Sequence, residues 1–115
     1  MFDVAFEIIC FNADAFLEPV IRSLTPFGEV FAVEGPVRFW RDRGFTTSTD
    51  KTNEILHDLL PSSNIKHGQF EEKDDEVNAI AEKIKGDFVF AVDSDEVWDS
   101  EAIRKVFSII ETNEY

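Results

Sequence analysis

The sequence predicts an α/β fold: a three-layer sandwich, with a mainly parallel sheet in strand order 3-2-1-4 between layers of helix. Three observations predict it. Short, nearly continuous apolar runs alternate with stretches whose apolar residues recur at helical spacing, in the order β-α-β-α-β-α-β-α. The chain has 115 residues, enough for a single domain over residues 1–115. Hydrophobic content is 43%, with twelve Phe, so a core can be built.

Each element has its own signal. VAFEIICF (4–11) is an apolar run with one Glu, as expected for a strand buried on both faces. Asn12 or Asp14 is placed to cap the helix carrying Phe16, Leu17, Val20, Ile21 and Leu24. Pro19 falls within or just past its first turn, and Pro26 and Gly28 end it. EVFAVEG (29–35) is a second strand, and residues 35–48 read as a long loop without periodicity. Thr47, or Thr49 with Asp50, starts the next helix, and Thr47-x-x-Asp50 has capping-box spacing. Ile55, Leu56, Leu59 and Leu60 form its apolar face, and residues 61–64 break it. IKHGQF (65–70) is a short third strand, followed by EEKDDE as a solvated acidic turn. Val77, Ile80, Ala81 and Ile84 predict an amphipathic helix stopped by Gly86. DFVFAV (87–92) is the fourth strand. Asp99 caps a last helix whose Ile103, Val106, Phe107 and Ile110 face inward.

Charge narrows the function classes. Formal net charge is −13, which opposes nonspecific binding to nucleic acid or an anionic membrane. A phosphate ligand would need a basic island or a bridging cation. Cys10 is the one cysteine, so no disulfide forms within the chain and a buried, inert thiol is expected. No apolar run is long enough to span a membrane. The N-terminal MFDVAFEIICFN lacks the basic start and cleavage site of a signal peptide, so a cytoplasmic protein is the expectation.

In open parallel sheets, ligands bind beyond the carboxyl ends of the strands, where strand order reverses. Order 3-2-1-4 puts that reversal between strands one and four. Cys10-Phe11-Asn12 then lies beside Asp93-Ser94-Asp95. Asp93 and Asp95 could converge on one Mg²⁺ or Mn²⁺, hard ions that keep waters and take substrate phosphates at the remaining positions. The alternative is a solvated strand-end turn. A calcium loop fits badly: an EF-hand starting at Asp93 needs Gly and Glu where Trp98 and Arg104 stand. Arg38, Arg41 and Arg43 form an island that could hold a diphosphate or an anionic acceptor, or only neutralise nearby acids. Glu34 ends the second strand on the same rim, as a base or ribose acceptor or as an exposed strand-end carboxylate. Asn78 reads as a helix-surface amide. His57 and His67 lack ligand spacing and read as structural, so no zinc site is expected. No phosphate-binding glycine loop or nucleophile elbow is present.

Together these pieces resemble the N-terminal, nucleotide-sugar-binding half of GT-A-fold, family 2 glycosyltransferases, a Rossmann-like arrangement. The matching blocks are VAFEIICFNAD, the strand end AVEG, STDKTNEIL with Ser48, Asp50 and Thr52, and Asn78 eight residues before Gly86. The last and most specific is FVFAVDSDEVWDSEAI with its D-x-D. The resemblance implies that Asp93 and Asp95 hold a divalent cation, Mn²⁺ or Mg²⁺, with Asp93 also contacting the donor. It implies that Glu34 helps place the base, and that Phe11 and Asn12 border the base and ribose. Asp50 keeps mainly a helix-start role. The chain departs from the family at Val33-Glu34-Gly35-Pro36, commonly V-D-D-G-S, and at Lys51, commonly Gly. The family also continues for another hundred or more residues, the half that supplies the acceptor pocket and, in inverting enzymes, the base.

The implied activity is transfer of a sugar from a nucleoside diphosphate to an acceptor hydroxyl of unknown identity. The chain would be the whole machinery or only its donor-binding part. A homodimer or a partner chain could supply the missing half. The rival reading is a noncatalytic nucleotide-binding or interaction module. A receiver-like signalling domain fits poorly: strand one ends Cys10-Phe11-Asn12 without an acidic pair, and strand three ends Gln69-Phe70 without a phosphorylatable Asp.

Overall fold

A computed structural model describes residues 3–112. Its strands are β1 (Val4–Cys10), β2 (Glu29–Glu34), β3 (Ile65–His67) and β4 (Phe88–Asp93). Its helices are α1 (Leu17–Leu24), α2 (Arg38–Arg41), α3 (Thr52–Leu59), α4 (Lys73–Asn78) and α5 (Ser100–Thr112), with 3-10 turns at Ser62–Asn64 and Ala81–Lys83. The sheet order is β3-β2-β1-β4, and every pairing is parallel. The expected α/β layering and strand order are therefore present.

Strand alternation separates two cores. Phe6, Ile8 and Cys10 of β1, with Val30 and Ala32 of β2, face α1, α3 and α5. Leu17, Val20, Ile21 and Leu24 of α1 pack there with Leu56 and Ile103, all nearly fully buried. Ala5, Phe31 and Val33 face the opposite layer, where Ile80 covers them. That second layer is thin. Val89 and Ala91 of β4 point out on its side and remain exposed.

Four local expectations change. The loop at 35–48 contains α2, a helix of four residues, too short to show periodicity. The helix expected through Ile84 begins at Lys73, on a capping box between Glu72 and Asp75, and ends at Asn78. A 3-10 turn follows. Spacing of three residues suits a 3-10 turn as well as an α-helix, so Val77–Ile80 and Ala81–Ile84 could not separate the two. β3 stops at His67, yet the chain stays beside the β2 extension: Gly68 N–H donates to Glu34 O at 3.0 Å and Phe70 N–H to Pro36 O at 3.0 Å. Finally, α1 has no side-chain cap, because Asn12 and Asp14 are used elsewhere. Asp99 does take up the start of α5, accepting from Glu101 N–H at 2.9 Å.

Candidate functional site

The β1 register pairs Ile9 with Asp93 on one side and Cys10 with Glu34 on the other. Three strand ends therefore open on one rim. At the reversal point lies a cleft of about 510 Å³ lined by Phe11, Asn12, Phe16, Lys73, Asp93 and Asp95, among others. The Asp93 backbone N–H donates to Glu96 Oε1 at 2.8 Å, which folds the turn after β4 back on itself. Lys73, from the acidic turn, reaches across: its Nζ lies 3.0 Å from Asp93 Oδ1. Nothing in the spacing of EEKDDE revealed that its single Lys would arrive at this carboxylate.

The tip of β1 is held by a hydrogen-bond brace. Asn12 adopts a left-handed conformation, φ 48°, which asparagine tolerates better than most residues. Its N–H donates to Ser48 Oγ at 3.0 Å, and its Oδ1 accepts from Thr49 N–H at 2.7 Å. Ala13 N–H donates to Thr52 Oγ1 at 2.7 Å, and Asp14 N–H to Asp50 Oδ2 at 3.1 Å. Asp14 returns the favour by accepting from Lys51 N–H at 3.2 Å. The Ser48-x-Asp50-x-Thr52 pattern thus fixes a loop distant in sequence. Burial raises the Asp50 carboxyl, but hydrogen bonds from Thr52 and Asp14 outweigh it and leave it below the usual carboxylate range. Thr47 does not cap α3; its hydroxyl donates to Glu34.

Glu34 is turned inward, 1% exposed. Its carboxylate accepts from Ser48 N–H and Oγ, both at 2.7 Å, and from Thr47 Oγ1. His67 Nδ1 lies 2.8 Å from Oε1. The His67 Nε2 in turn meets His57 Nε2 at 2.9 Å. Glu34 therefore organises the loop at 47–48 and the end of β3, and neither the exposed strand end nor an open acceptor describes it. The two histidines, ten residues apart on α3 and β3, form one chain with it.

The arginines are engaged near α2 and none lines the cleft. Arg41 pairs with Glu71 at 3.1 Å, Arg38 with Asp42 at 3.8 Å, and Arg43 lies 3.5 Å over the Phe39 ring. Between them Trp40 and Phe45 pack against Phe11, at ring-centroid distances of 6.0 and 5.7 Å. Cys10 is buried, its Sγ near Val33 O, and burial raises its thiol far above the ordinary range, with Glu34, Glu76 and Asp50 adding. It is inert. Among the described residues, no three His, Cys, Asp or Glu side chains are grouped to hold a metal ion.

The family model for glycosyl transferase family 2 matches residues 46–115, more than half of the chain. The chain belongs to glycosyl transferase family 2. A crystal structure of S. aureus TarS superposes with a TM-score of 0.66 at 21% identity, covering 97% of this chain. That likeness speaks for the fold. This chain spans 20% of the TarS chain, about a fifth of its length. No curated protein matches. Among the described residues no helix is long and apolar enough to cross a membrane.

Proposed function

We propose that this family 2 chain binds a nucleoside-diphosphate sugar in the cleft between β1 and β4, and that Asp93 and Asp95 hold a divalent cation there. The observation that carries the reading is the placement of both carboxylates, with Phe11 and Asn12, on one cleft in a chain of this family. The donor set fits Mg²⁺ or Mn²⁺: two carboxylates supply hard oxygen, and diphosphate oxygens and water complete the shell. The small number of protein ligands suits an ion shared with substrate. Such an ion supplies positive charge against the departing diphosphate.

The chain's own residues have separate tasks in this proposal. Phe11 and Asn12 border the nucleoside, and the Ser48–Thr52 brace holds that tip in position before the donor arrives. Glu34 keeps the brace in place and so acts through Ser48. Lys73 leaves Asp93 for the diphosphate, adding a second positive charge. In transfer, an acceptor hydroxyl oxygen bonds the anomeric carbon, the bond from that carbon to the diphosphate breaks with its electron pair leaving on the diphosphate, and a general base takes the hydroxyl proton. Arg38, Arg41 and Arg43 stay with the α2 segment.

One observation favours the rival reading of a noncatalytic nucleotide-binding module. Lys73 already neutralises Asp93, so a diphosphate could be held without an ion. A thermal-shift panel of UDP-, GDP- and dTDP-sugars, with and without Mn²⁺, distinguishes the two when paired with a donor-hydrolysis assay. Metal-dependent stabilisation that disappears in Asp95→Ala, with slow donor hydrolysis, supports the transferase. Metal-independent stabilisation without turnover supports the module. No stabilisation by any donor contradicts both.

A further inference from the structure

The two histidines meet at the β3 edge of the sheet, with β2 and β1 between them and Asp93 on β4. Their Nε2 atoms are 2.9 Å apart, their ring centroids 5.1 Å, and their planes differ by 23°. The centroids exceed the nitrogen separation by nearly two ring radii, so the rings do not overlap face to face. They meet tip to tip, each Nε2 aimed at the other. Glu34 decides which nitrogen of His67 carries the proton. Its carboxylate already accepts from Ser48 and Thr47, so His67 Nδ1, 2.8 Å from Oε1, is a further donor to it. A neutral imidazole that donates through Nδ1 presents a lone pair at Nε2. A carboxylate behind the far nitrogen of a surface imidazole is also what orients a histidine for a metal ion and raises its basicity.

We propose that His57 and His67 bind one Zn²⁺, or a divalent transition ion of similar softness, through their two Nε2 atoms, with Glu34 holding His67 from behind. Imidazole nitrogen suits zinc, copper and nickel, whereas the carboxylates of the cleft suit hard ions. The ion takes the place of the hydrogen bond between the rings. The Nε2 proton of His57 passes through water to Nδ1 of the same ring, so both Nε2 lone pairs are free and no proton is released overall. Zn–N bonds at a tetrahedral angle set the two nitrogens about 3.3 Å apart, slightly wider than they stand. Both residues are exposed, the His67 side chain by 41%, so the rings can tilt open. The protein supplies two ligands and water the rest, in keeping with the lack of a third His, Cys, Asp or Glu among the described residues. A bound ion ties α3 to β3, an edge strand of three residues, and so secures the loop that Glu34 holds. The inference is independent of the donor site.

The test is a Zn²⁺ titration of the ¹⁵N-labelled chain at about pH 8, where an unperturbed imidazole is neutral. It is followed by long-range ¹H–¹⁵N spectra of the side chains. The chain has two histidines, so every imidazole signal is informative. The expected result is that both Nε2 resonances move together and saturate at one ion per chain, while His67 Nδ1 keeps its proton. Mg²⁺ at the same concentration moves neither. In His57→Ala, the Zn²⁺ affinity read at His67 falls by about tenfold or more. Should that variant fail to fold, His67→Gln read at His57 gives the same loss. Movement of one ring alone, no saturation at one ion per chain, an equal response to Mg²⁺, or an affinity unchanged in the folded variant overturns the inference.

Discussion

Replacing Glu7 by Gln gives a stability gain whose size depends on pH. Glu7 lies in the middle of β1, 2% exposed, at the floor of an apolar groove with Val77, Ala81, Ile84 and Val89. Burial raises its carboxyl from 4.5 to about 7. The folded chain therefore keeps the Glu7 proton between about pH 4.5 and 7, while the unfolded chain releases it. Stability falls as pH rises through that window and stays low above it. The span corresponds to about 3 kcal/mol for this one group. Glutamine has the same shape and no charge to desolvate, so Glu7→Gln lacks the decline. Urea denaturation at pH 4.5, 6, 7 and 8, read by far-UV circular dichroism, isolates the effect as a difference between the two proteins. Glu76 titrates in the same window in both and cancels. The difference should be near zero at pH 4.5 and reach about 2–3 kcal/mol in favour of the variant at pH 8. A difference that is constant with pH, or a variant less stable at pH 8, refutes the reasoning.

Three further outcomes follow from the braces around the rim. Thr52→Val removes the acceptor for Ala13 N–H at a fully buried position, and should cost about 1–3 kcal/mol in urea denaturation while weakening donor binding through the loosened β1 tip. Gly35→Ala should destabilise by about 3 kcal/mol or more or prevent folding, read as the soluble yield and denaturation midpoint: Gly35 has φ 151°, and a Cβ there would overlap the Gly68 carbonyl oxygen. Lys73→Ala should leave thermal stability nearly unchanged, because its pair with Asp93 is exposed on both sides. The same variant should weaken nucleoside-diphosphate binding by about tenfold, measured by isothermal titration calorimetry.

The strands were the most legible part of the sequence because parallel strands are written as apolar runs, which β1 and β2 bury on both faces and β4 keeps although Val89 and Ala91 stay exposed. VAFEIIC and FVFAV needed no partner to be recognised, and strand order followed from connection rules. The meeting of Asn12 with Asp93 and Asp95 on one cleft was legible for the same reason: strand ends in a parallel sheet share a rim. What lay hidden was carried by side chains acting across long separations. Ser48, Asp50 and Thr52 looked like a helix start, whereas three of their oxygens hold backbone N–H groups thirty-six or more residues earlier. Glu34 looked exposed because strand ends often are, and only the fold of residues 47–48 over it reverses that. His57 and His67 lacked ligand spacing in sequence, and β3 and α3 bring them together without any. Glu76 sat in a run of like charge that holds Lys73 as its single basic residue, and such a run masks a residue facing inward. The break after Asn78 was invisible because the apolar spacing fits both kinds of turn.

The most direct measurement is the mutual dependence of metal and nucleotide. Mn²⁺ binding is followed by electron paramagnetic resonance with and without saturating nucleoside diphosphate, in wild type and in Asp95→Ala. If the ion is shared between Asp93, Asp95 and the diphosphate, each ligand must strengthen the other by the same factor. The account predicts a gain of about tenfold or more in wild type and none in the variant. Nucleotide binding that is indifferent to Mn²⁺, or coupling that survives intact in Asp95→Ala, contradicts it.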